Sequence, residues 1–481
     1  MAVQSSLAVS LSRLLNSLGW TTEADRFTLR ATEPAFEPVT RTWMVGKASA
    51  ISDEEVRRVG PSRIIVEDFA TASQMSRLLG LLPQASGDEI PVSTYSRFVD
   101  RLWGADVAVR RALADAEAGD SDGLFGETMP LNARHITQHV DFGDISVRDH
   151  RALEHGLASA GVWLAILSDA GLGKTEFLRL HEYRFAQLYE SAQRGASYIE
   201  LPPIALRVSL RDFRSLSLDY IAHALSQPAQ RGHARVPLPR ISSGAVLREL
   251  LVQGRLILFL DGLDEVIADS SSIEAGLQEW HRAVSAGARI VVASRTGHAS
   301  ARGAIARRFK PDETAAMKPL EKVTALELLE RRNASSQRAS SIYAALSGPA
   351  ATIPLYLVLA NYVGLDETLP DDVRVSKTLV LQTLVTHFCE REVSRLGVDS
   401  STQMDLLDQV SEWLTLDSML SRDELLQALG LDSADARARV VLNPHALLLH
   451  NERGGVEFKF PEFGALFGAR VLASSWRSRG F

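Results

Sequence analysis

The sequence predicts an α/β fold: a mostly parallel sheet covered by helices on both faces, with a small α/β domain ahead of it and helices behind. Three observations predict it. Short apolar runs, "VWLAIL", "PIALRV", "LILFL" and "ARIVVAS", alternate with stretches of helical periodicity through the middle of the chain, as in parallel strands joined by crossover helices. Two of these runs end abruptly in chemistry foreign to a core, a glycine-rich "SDAGLGKT" and the carboxylates of "DGLDEV". From about Pro311 the strand signals stop and helical spacing takes over, in "LEKVTALELLERRNA", "QRASSIYAALSG", "PLYLVLANYVG" and most segments from Ser376 to Leu429.

Composition narrows the class. With 481 residues, 46% of them hydrophobic, the chain has material for two to four domains. Its one cysteine, Cys389, excludes an internal disulfide and a multi-cysteine zinc site, and reads as a plain core or surface thiol. A net charge of −7 with mixed signs argues against a protein that mainly coats nucleic acid. The amino terminus lacks the basic start of a signal peptide. Leu7, Leu11, Leu14, Leu15 and Leu18 instead recur at helical spacing and predict one buried face. No apolar run approaches the roughly 18–20 residues that span a bilayer, so a cytoplasmic protein with no membrane partner is expected.

Along the chain the clearest break is "ADAEAGDSDGLFGETM", Ala114 to Met129, where Gly, Ser and Asp replace apolar periodicity. The expected organisation is an α/β domain over 1–115, a linker over 116–135, the parallel-sheet core over 136–310, a helical domain over 311–370 and a last domain over 371–481. In that last domain "HALLLHNERGGVEFKF" predicts two short strands around a Gly-Gly turn. Helices followed by such a hairpin suggest a winged helix, with a packing role, since no basic recognition helix accompanies it.

"SDAGLGKT", Ser168 to Thr175, follows a buried strand and opens a helix, the setting a phosphate-binding loop requires. Gly171 and Gly173 let backbone N–H groups turn toward phosphate oxygens, Lys174 reaches the β- and γ-phosphates, and Thr175 is a candidate Mg²⁺ ligand. The usual first glycine of the pattern is Ser168 here, small enough for a modest distortion only. Asp261, at the end of "LILFL", is expected beside the phosphates, because parallel strands present their C-terminal ends to the ligand crevice. There it would hold Mg²⁺, while Glu265, or Asp264, orients or deprotonates the attacking water. Arg295, ending "VVASR", is placed to meet the γ-phosphate, although a strand-end arginine on the surface is the plainer alternative.

These residues resemble the NACHT family of STAND-type signalling ATPases. "GLGKT", "LFLDGLDEV" and "VVASRT" are similar to its Walker A, its acidic Walker B with a small residue after the first Asp, and its sensor 1. "MKPLEKVTALELLERR", "ATIPLYLVLANY" and "FKFPEFGALFGARVL" resemble its later segments, so the likeness runs from about Val140 to Ala473. The implied fold is a P-loop NTPase sheet followed by helical and winged-helix domains. The implied nucleotide-binding residues are Ala170, Gly171, Leu172, Gly173, Lys174, Thr175, Glu176 and Pro354, the last lying against the nucleotide base. The implied cofactors are ATP or ADP with Mg²⁺. ATP is favoured over GTP because no Asn-Lys-x-Asp motif occurs. An AAA-type remodeller is the runner-up, but there a Glu normally follows the first Asp, where this chain has Gly262.

What the family resemblance implies is a slow, switch-type ATPase, closed with ADP and open with ATP, that oligomerises with itself on sensing a trigger. Bacterial members act in antiphage defence; the trigger here is unknown, a phage protein or a nucleic acid being the candidates. A non-hydrolysing ADP-bound adaptor is the second reading. Relatives begin the closing winged-helix segment Phe-x-His, where this chain has Phe458-Lys459-Phe460. The N-terminal elements, the first helix with "RFTLRAT", "RTWMVGK" and "RIIVEDF", resemble a restriction-endonuclease-like core. Lys47 matches the lysine of its Glu-x-Lys signature, but Val45 stands where the Glu belongs, which implies an inactive domain. A DNA-cleaving effector is the third reading, and an unrelated small α/β domain is the alternative for the N-terminal stretch.

Overall fold

The computed structural model describes residues 7–24, 28–33, 40–47, 49–59, 61–67, 71–79, 81–82, 92–117, 139–142, 145–148, 153, 156–157, 160–168, 171–194, 201–210, 213–227, 237–238, 240–241, 243–263, 266, 270–295, 309–332, 334–346, 351–363, 377–416, 420–442, 447–450, 456–458 and 461–478. They form two compact units, one up to Lys318 and one from Pro319.

The first unit opens with α1 (Leu7–Ser17), whose Leu11, Leu14 and Leu15 are fully buried as their spacing predicts. Then come β1 (Thr21–Ala24), β2 (Thr28–Thr32), β3 (Thr40–Gly46), α2 (Asp53–Val59), β4 (Arg63–Val66), α3 (Ala72–Leu79) and β5 (Val92–Thr94). The strands make one sheet in sequential order, antiparallel from β1 to β3 and parallel from β3 to β5. The parallel pairs are the ones joined by helices, as a crossover demands. Trp43 on β3 packs against Trp20 and edge-on against Phe98, at 5.9 and 5.0 Å between ring centroids.

Two helices, α4 (Tyr95–Trp103) and α5 (Ala105–Glu117), carry the chain out of this sheet. Gly104 between them has φ +82°, a left-handed turn that closes α4 by donating its N–H to the Asp100 carbonyl. From here the core is shared rather than separate: one buried cluster runs from Leu11, Trp43 and Phe98 through Trp103 to Trp163 and Trp280.

The second sheet of this unit comprises β6 (His139–Phe142), β7 (Ile145–Arg148), β8 (Val162–Ser168), β9 (Ile204–Ser209), β10 (Leu256–Asp261), β11 (Arg289–Arg295) and β12 (Glu313–Met317). Their spatial order is β7-β6-β12-β8-β11-β10-β9. The five strands from β12 to β9 are all parallel. Helices α6 (Lys174–Arg194), α7 (Leu218–Ser226), α8 (Gly244–Val252) and α9 (Ser270–Ser285) supply the crossovers. All six residues of β10 are buried, which is why it reads as a continuous apolar run rather than an alternating one. This order, with one strand between the glycine-loop strand β8 and the acidic strand β10, is a P-loop NTPase fold.

One expectation is corrected here. Strands do not stop at Pro311, because β12 adds to the sheet between β8 and β6. Three of the five residues of its "ETAAM" are exposed and only one is β-branched, so pairing on both sides, and not local propensity, makes it a strand.

The second unit is helical: α10 (Lys322–Arg331), α11 (Ser336–Ala345), α12 (Pro354–Val363), α13 (Lys377–Leu396), α14 (Ser400–Leu416) and α15 (Arg422–Ala428). Ser421 and Glu424 form a reciprocal capping box at the start of α15. A 3-10 turn (Ala436–Ala438) runs into α16 (Arg439–Leu442), and β13 (Leu448–His450) pairs antiparallel with β14 (Val456–Phe458), the hairpin the sequence predicts. Helix α17 (Pro461–Ser478) follows, with Phe467 stacked 5.5 Å from Phe458 and Arg470 bonded to Asp408 of α14 at 3.1 Å. Cys389 is fully buried on α13, and burial pushes its thiol up to about 12, so it is a core residue and no nucleophile. Among the described residues no helix is long and apolar enough to cross a membrane.

Candidate functional site

Strand β8 is buried at every position but the half-buried Leu167 and ends in the buried Ser168. After it Gly171 and Gly173 sit at φ +82° and +92°, a region where a side chain is strained. The glycine spacing in "GLGK" is thus the backbone requirement of a loop that curls its N–H groups inward. Helix α6 starts at Lys174, and its first bond is Phe177 N–H to the Gly173 carbonyl at 2.9 Å. The N–H groups at a helix N-terminus and the helix dipole favour an anion in front of it.

The Lys174 ammonium folds back over the loop and donates to the Ser168 carbonyl at 2.9 Å and to its hydroxyl at 3.1 Å. The serine that replaces the usual first glycine is therefore a partner of the lysine. Thr175 is exposed at the helix start, Leu172 is buried beneath the loop, and Glu176 pairs with Arg179 at 3.1 Å. Ala170 lies outside the described residues.

Asp261 ends β10 at 8% exposure. Its carbonyl accepts from Leu210 N–H at 2.8 Å, and the next N–H, of Gly262, donates to Ala293 of β11 at 3.1 Å. Gly262 has φ +82°, so the small residue after the aspartate is a conformational need at this bend. Asp264 and Glu265 lie outside the described residues, as do Lys459 and Phe460. Arg295 ends β11 directly across from Ser168 in the register, while its side chain is outside the described set. Ser294 is fully buried. Thus β8, β11 and β10 bring Ser168, Arg295 and Asp261 to one edge of the sheet. Pro354 begins α12 in the second unit.

Mg²⁺ is held by one or two carboxylate or hydroxyl oxygens together with substrate phosphates, at about 2.1 Å. Thr175 and Asp261 are hard oxygen donors of that kind, each at the C-terminal edge of the sheet, and they fit the ion. Among the described residues no three His, Cys, Asp or Glu gather into a self-sufficient metal cage.

Sequence reading missed Arg207. It lies on β9 with a 6% exposed side chain, and its Nη1 is 3.8 Å from Asp261 Oδ2. The signal was there: "IALRVS" is an apolar strand with one cation in it. The reading also missed the tie at the other end of β10, where Arg255 forks onto Asp100 of α4, with Nε to Oδ1 at 3.0 Å. Burial pushes the Asp100 carboxyl up, opposed by the Arg255 charge and by hydrogen bonds from Arg255, Trp103 and Tyr189.

In the N-terminal sheet Val45 is fully buried within the hydrophobic core and Lys47 is exposed just past the end of β3. The side chain where the signature carboxylate would stand therefore offers no oxygen.

No family model matches the chain. An uncharacterised WD repeat-containing protein of the cyanobacterium Nostoc sp. is 28% identical over 138 residues, covering 28% of this chain and 8% of that protein. This chain thus spans less than a tenth of that relative's length. Among solved structures, a RuvB mutant of Thermotoga maritima matches at 14% identity and a TM-score of 0.26, covering 66% of this chain and 93% of that one. An Aeropyrum pernix ORC2 protein matches at 14% and 0.33, covering 67% and 92%. A Cdc6p of Pyrobaculum aerophilum matches at 12% and 0.30, covering 68% and 93%. These superpositions are loose; the fold rests on the strand order and the loop geometry.

Proposed function

We propose that the chain is a nucleotide-dependent signalling switch of the NACHT type, closed with ADP and opened by ATP, that self-associates on sensing a trigger and serves bacterial antiphage defence. The observation that carries the nucleotide part is the placement of Lys174 and the two left-handed glycines on β8–α6, with Asp261 two strands away on the same sheet edge. Lys174 binds the β- and γ-phosphates, and Thr175 and Asp261 would hold Mg²⁺, whose charge offsets that of the phosphates. Glu265, or Asp264, takes the proton from the attacking water as its oxygen bonds to the γ-phosphorus and the bond to the bridging oxygen breaks. Arg295, across from Ser168 at the end of β11, is assigned to meet the γ-phosphate and report its presence. The switch and its trigger rest on the family resemblance of the motifs, and the hairpin between α16 and α17 is read as a winged helix.

Identifying by mass the nucleotide carried by purified protein tests this reading directly; bound ADP supports it, and no nucleotide with no ATP uptake sinks it. Glu265→Gln is expected to keep ATP binding, slow hydrolysis at least about a hundredfold and accumulate oligomers seen by light scattering. If turnover is unchanged there but lost in Asp264→Asn, the base is Asp264.

The N-terminal sheet, with its α1-β1-β2-β3-α2-β4 succession, is read as an inactive nuclease-like domain because Val45 is buried among hydrophobic side chains. Purified protein is expected to leave supercoiled plasmid intact with Mg²⁺ or Mn²⁺. Nicking that survives Lys174→Ala but disappears in Lys47→Ala would overturn the inactive reading.

A further inference from the structure

We propose that Arg207 sets the electrostatic field at Asp261 and its orientation, and that Asp115 on α5 and Glu182 on α6 hold Arg207 in place, so that the helix leaving the N-terminal sheet tunes cation affinity at the nucleotide site. The inference rests on the nucleotide-switch reading above.

The placement follows from strand periodicity. Ala205 of β9 and Ile257 and Phe259 of β10 pack with Phe177 and Leu178 of α6 in one cluster. Arg207 and Asp261 continue the same alternation and so emerge on the α6 side of the sheet. There the backbone N–H of Arg207 donates to Glu182 Oε1 at 2.9 Å, and its Nε lies 3.5 Å from Glu182 Oε2. Its Nη1 lies 3.8 Å from Asp261 Oδ2 and its Nη2 lies 4.0 Å from Asp115 Oδ2. At these separations the guanidinium acts on Asp261 through its field and not through a hydrogen bond. The field is strong because the participants' side chains are shielded from water: those of Arg207 and Glu182 are 6% exposed, that of Asp261 10% and that of Asp115 15%.

Helix α5 is fixed to this cluster at a second point. Arg179 of α6 bonds the Asp115 carbonyl through Nη2 at 3.1 Å while its Nη1 holds Glu176 beside the phosphate loop. One turn before Asp115, Arg111 is also buried. Burial pushes its guanidinium down and Arg207 adds to that, while Glu182 and Asp115 pull it up. Asp115 and Glu182 thus act on both Arg111 and Arg207, and Arg207 in turn faces Asp261.

Signs follow from this geometry. Removing the Arg207 charge deepens the negative field at Asp261, so Mg²⁺ binds more tightly, but the carboxylate loses its orientation and turnover falls. Removing the Asp115 charge releases Arg207 toward Asp261, so Mg²⁺ binds more weakly. A role confined to stability would lower the active fraction without moving the Mg²⁺ midpoint.

The experiment titrates Mg²⁺ against full-length protein at a fixed concentration of a fluorescent methylanthraniloyl-ATP, with thermal unfolding as the check on folding. Arg207→Gln is expected to lower the half-saturating Mg²⁺ about tenfold while slowing hydrolysis. Asp115→Asn is expected to raise it about two- to threefold, and less so in the Arg207→Gln background. If Arg207→Gln does not fold, the less buried Asp115→Asn still decides. A folded Arg207→Gln with the parent midpoint or a higher one, an unshifted Asp115→Asn, or additive effects in the double variant would overturn the inference alone. A parent that binds no nucleotide at any Mg²⁺ concentration would instead sink the nucleotide reading itself.

Discussion

Lys174→Ala is expected to abolish ATP binding, with affinity falling at least about a hundredfold. The ammonium lies at the start of α6, within reach of the loop it covers, and its contacts to the Ser168 carbonyl and hydroxyl show it bent over that loop. A charge-assisted bond to each of two phosphates contributes about 1.5–3 kcal/mol, and alanine replaces neither. The backbone loop and helix N-terminus remain, so residual weak anion binding is expected. Isothermal titration with ATP in excess Mg²⁺ makes the comparison. Parent-like affinity in Lys174→Ala would remove the phosphate-loop assignment, and everything proposed for Thr175 and Asp261 with it.

What the sequence disclosed and what it withheld divide along a physical line. The strands β8, β9, β10 and β11 were legible because a strand buried on both faces must be apolar throughout, and no distant partner is needed to see that. The glycines at 171 and 173 were legible because a left-handed backbone leaves few other choices. Asp261 was legible as a carboxylate terminating an apolar run. Strand β12 was not, since its "ETAAM" becomes a strand only through pairing with β6 and β8. Nor was the hairpin of β6 and β7, four residues each, whose place in the sheet depends on β12. Arg207 and Arg255 look alike in the sequence, single cations at or beside apolar runs. Their partners are 25 to 155 positions away: Arg255 donates to Asp100, Leu201 and Pro202, and Arg207 meets Glu182, Asp115 and Asp261. Nothing local announces such contacts. The same holds for α5, whose amphipathic pattern says that it packs but not that it packs on α6 and β9.

Asp100→Ala is expected to destabilise the first unit by about 3–5 kcal/mol. Its carboxylate is 2% exposed and is gripped by the Arg255 fork and by Trp103 Nε1 at 3.1 Å, while Arg255 also donates to the Leu201 carbonyl at 2.9 Å. Removing the acid strands a buried guanidinium, and that uncompensated charge, more than the lost attraction, sets the size of the effect. Arg255→Met is expected to cost a similar amount, whereas Asp100→Leu combined with Arg255→Met should recover much of it, since an apolar pair buries no charge. The pH dependence of Arg255→Met checks the mechanism. Burial already raises the Asp100 carboxyl, and Arg255 is its main opposing charge. A carboxyl whose folded-state pKa lies above its unfolded value, near 3.9, gives stability that is present below that value and lost as pH rises through the folded one. The Arg255→Met deficit should therefore be largest near neutrality and shrink as the pH falls toward about 4. Urea denaturation of the parent, both single variants and the double variant at two pH values supplies the numbers. Single-variant losses under about 1 kcal/mol, or strict additivity in the double, would mean that the pair is not the clamp that joins α4 to the strand bearing Asp261.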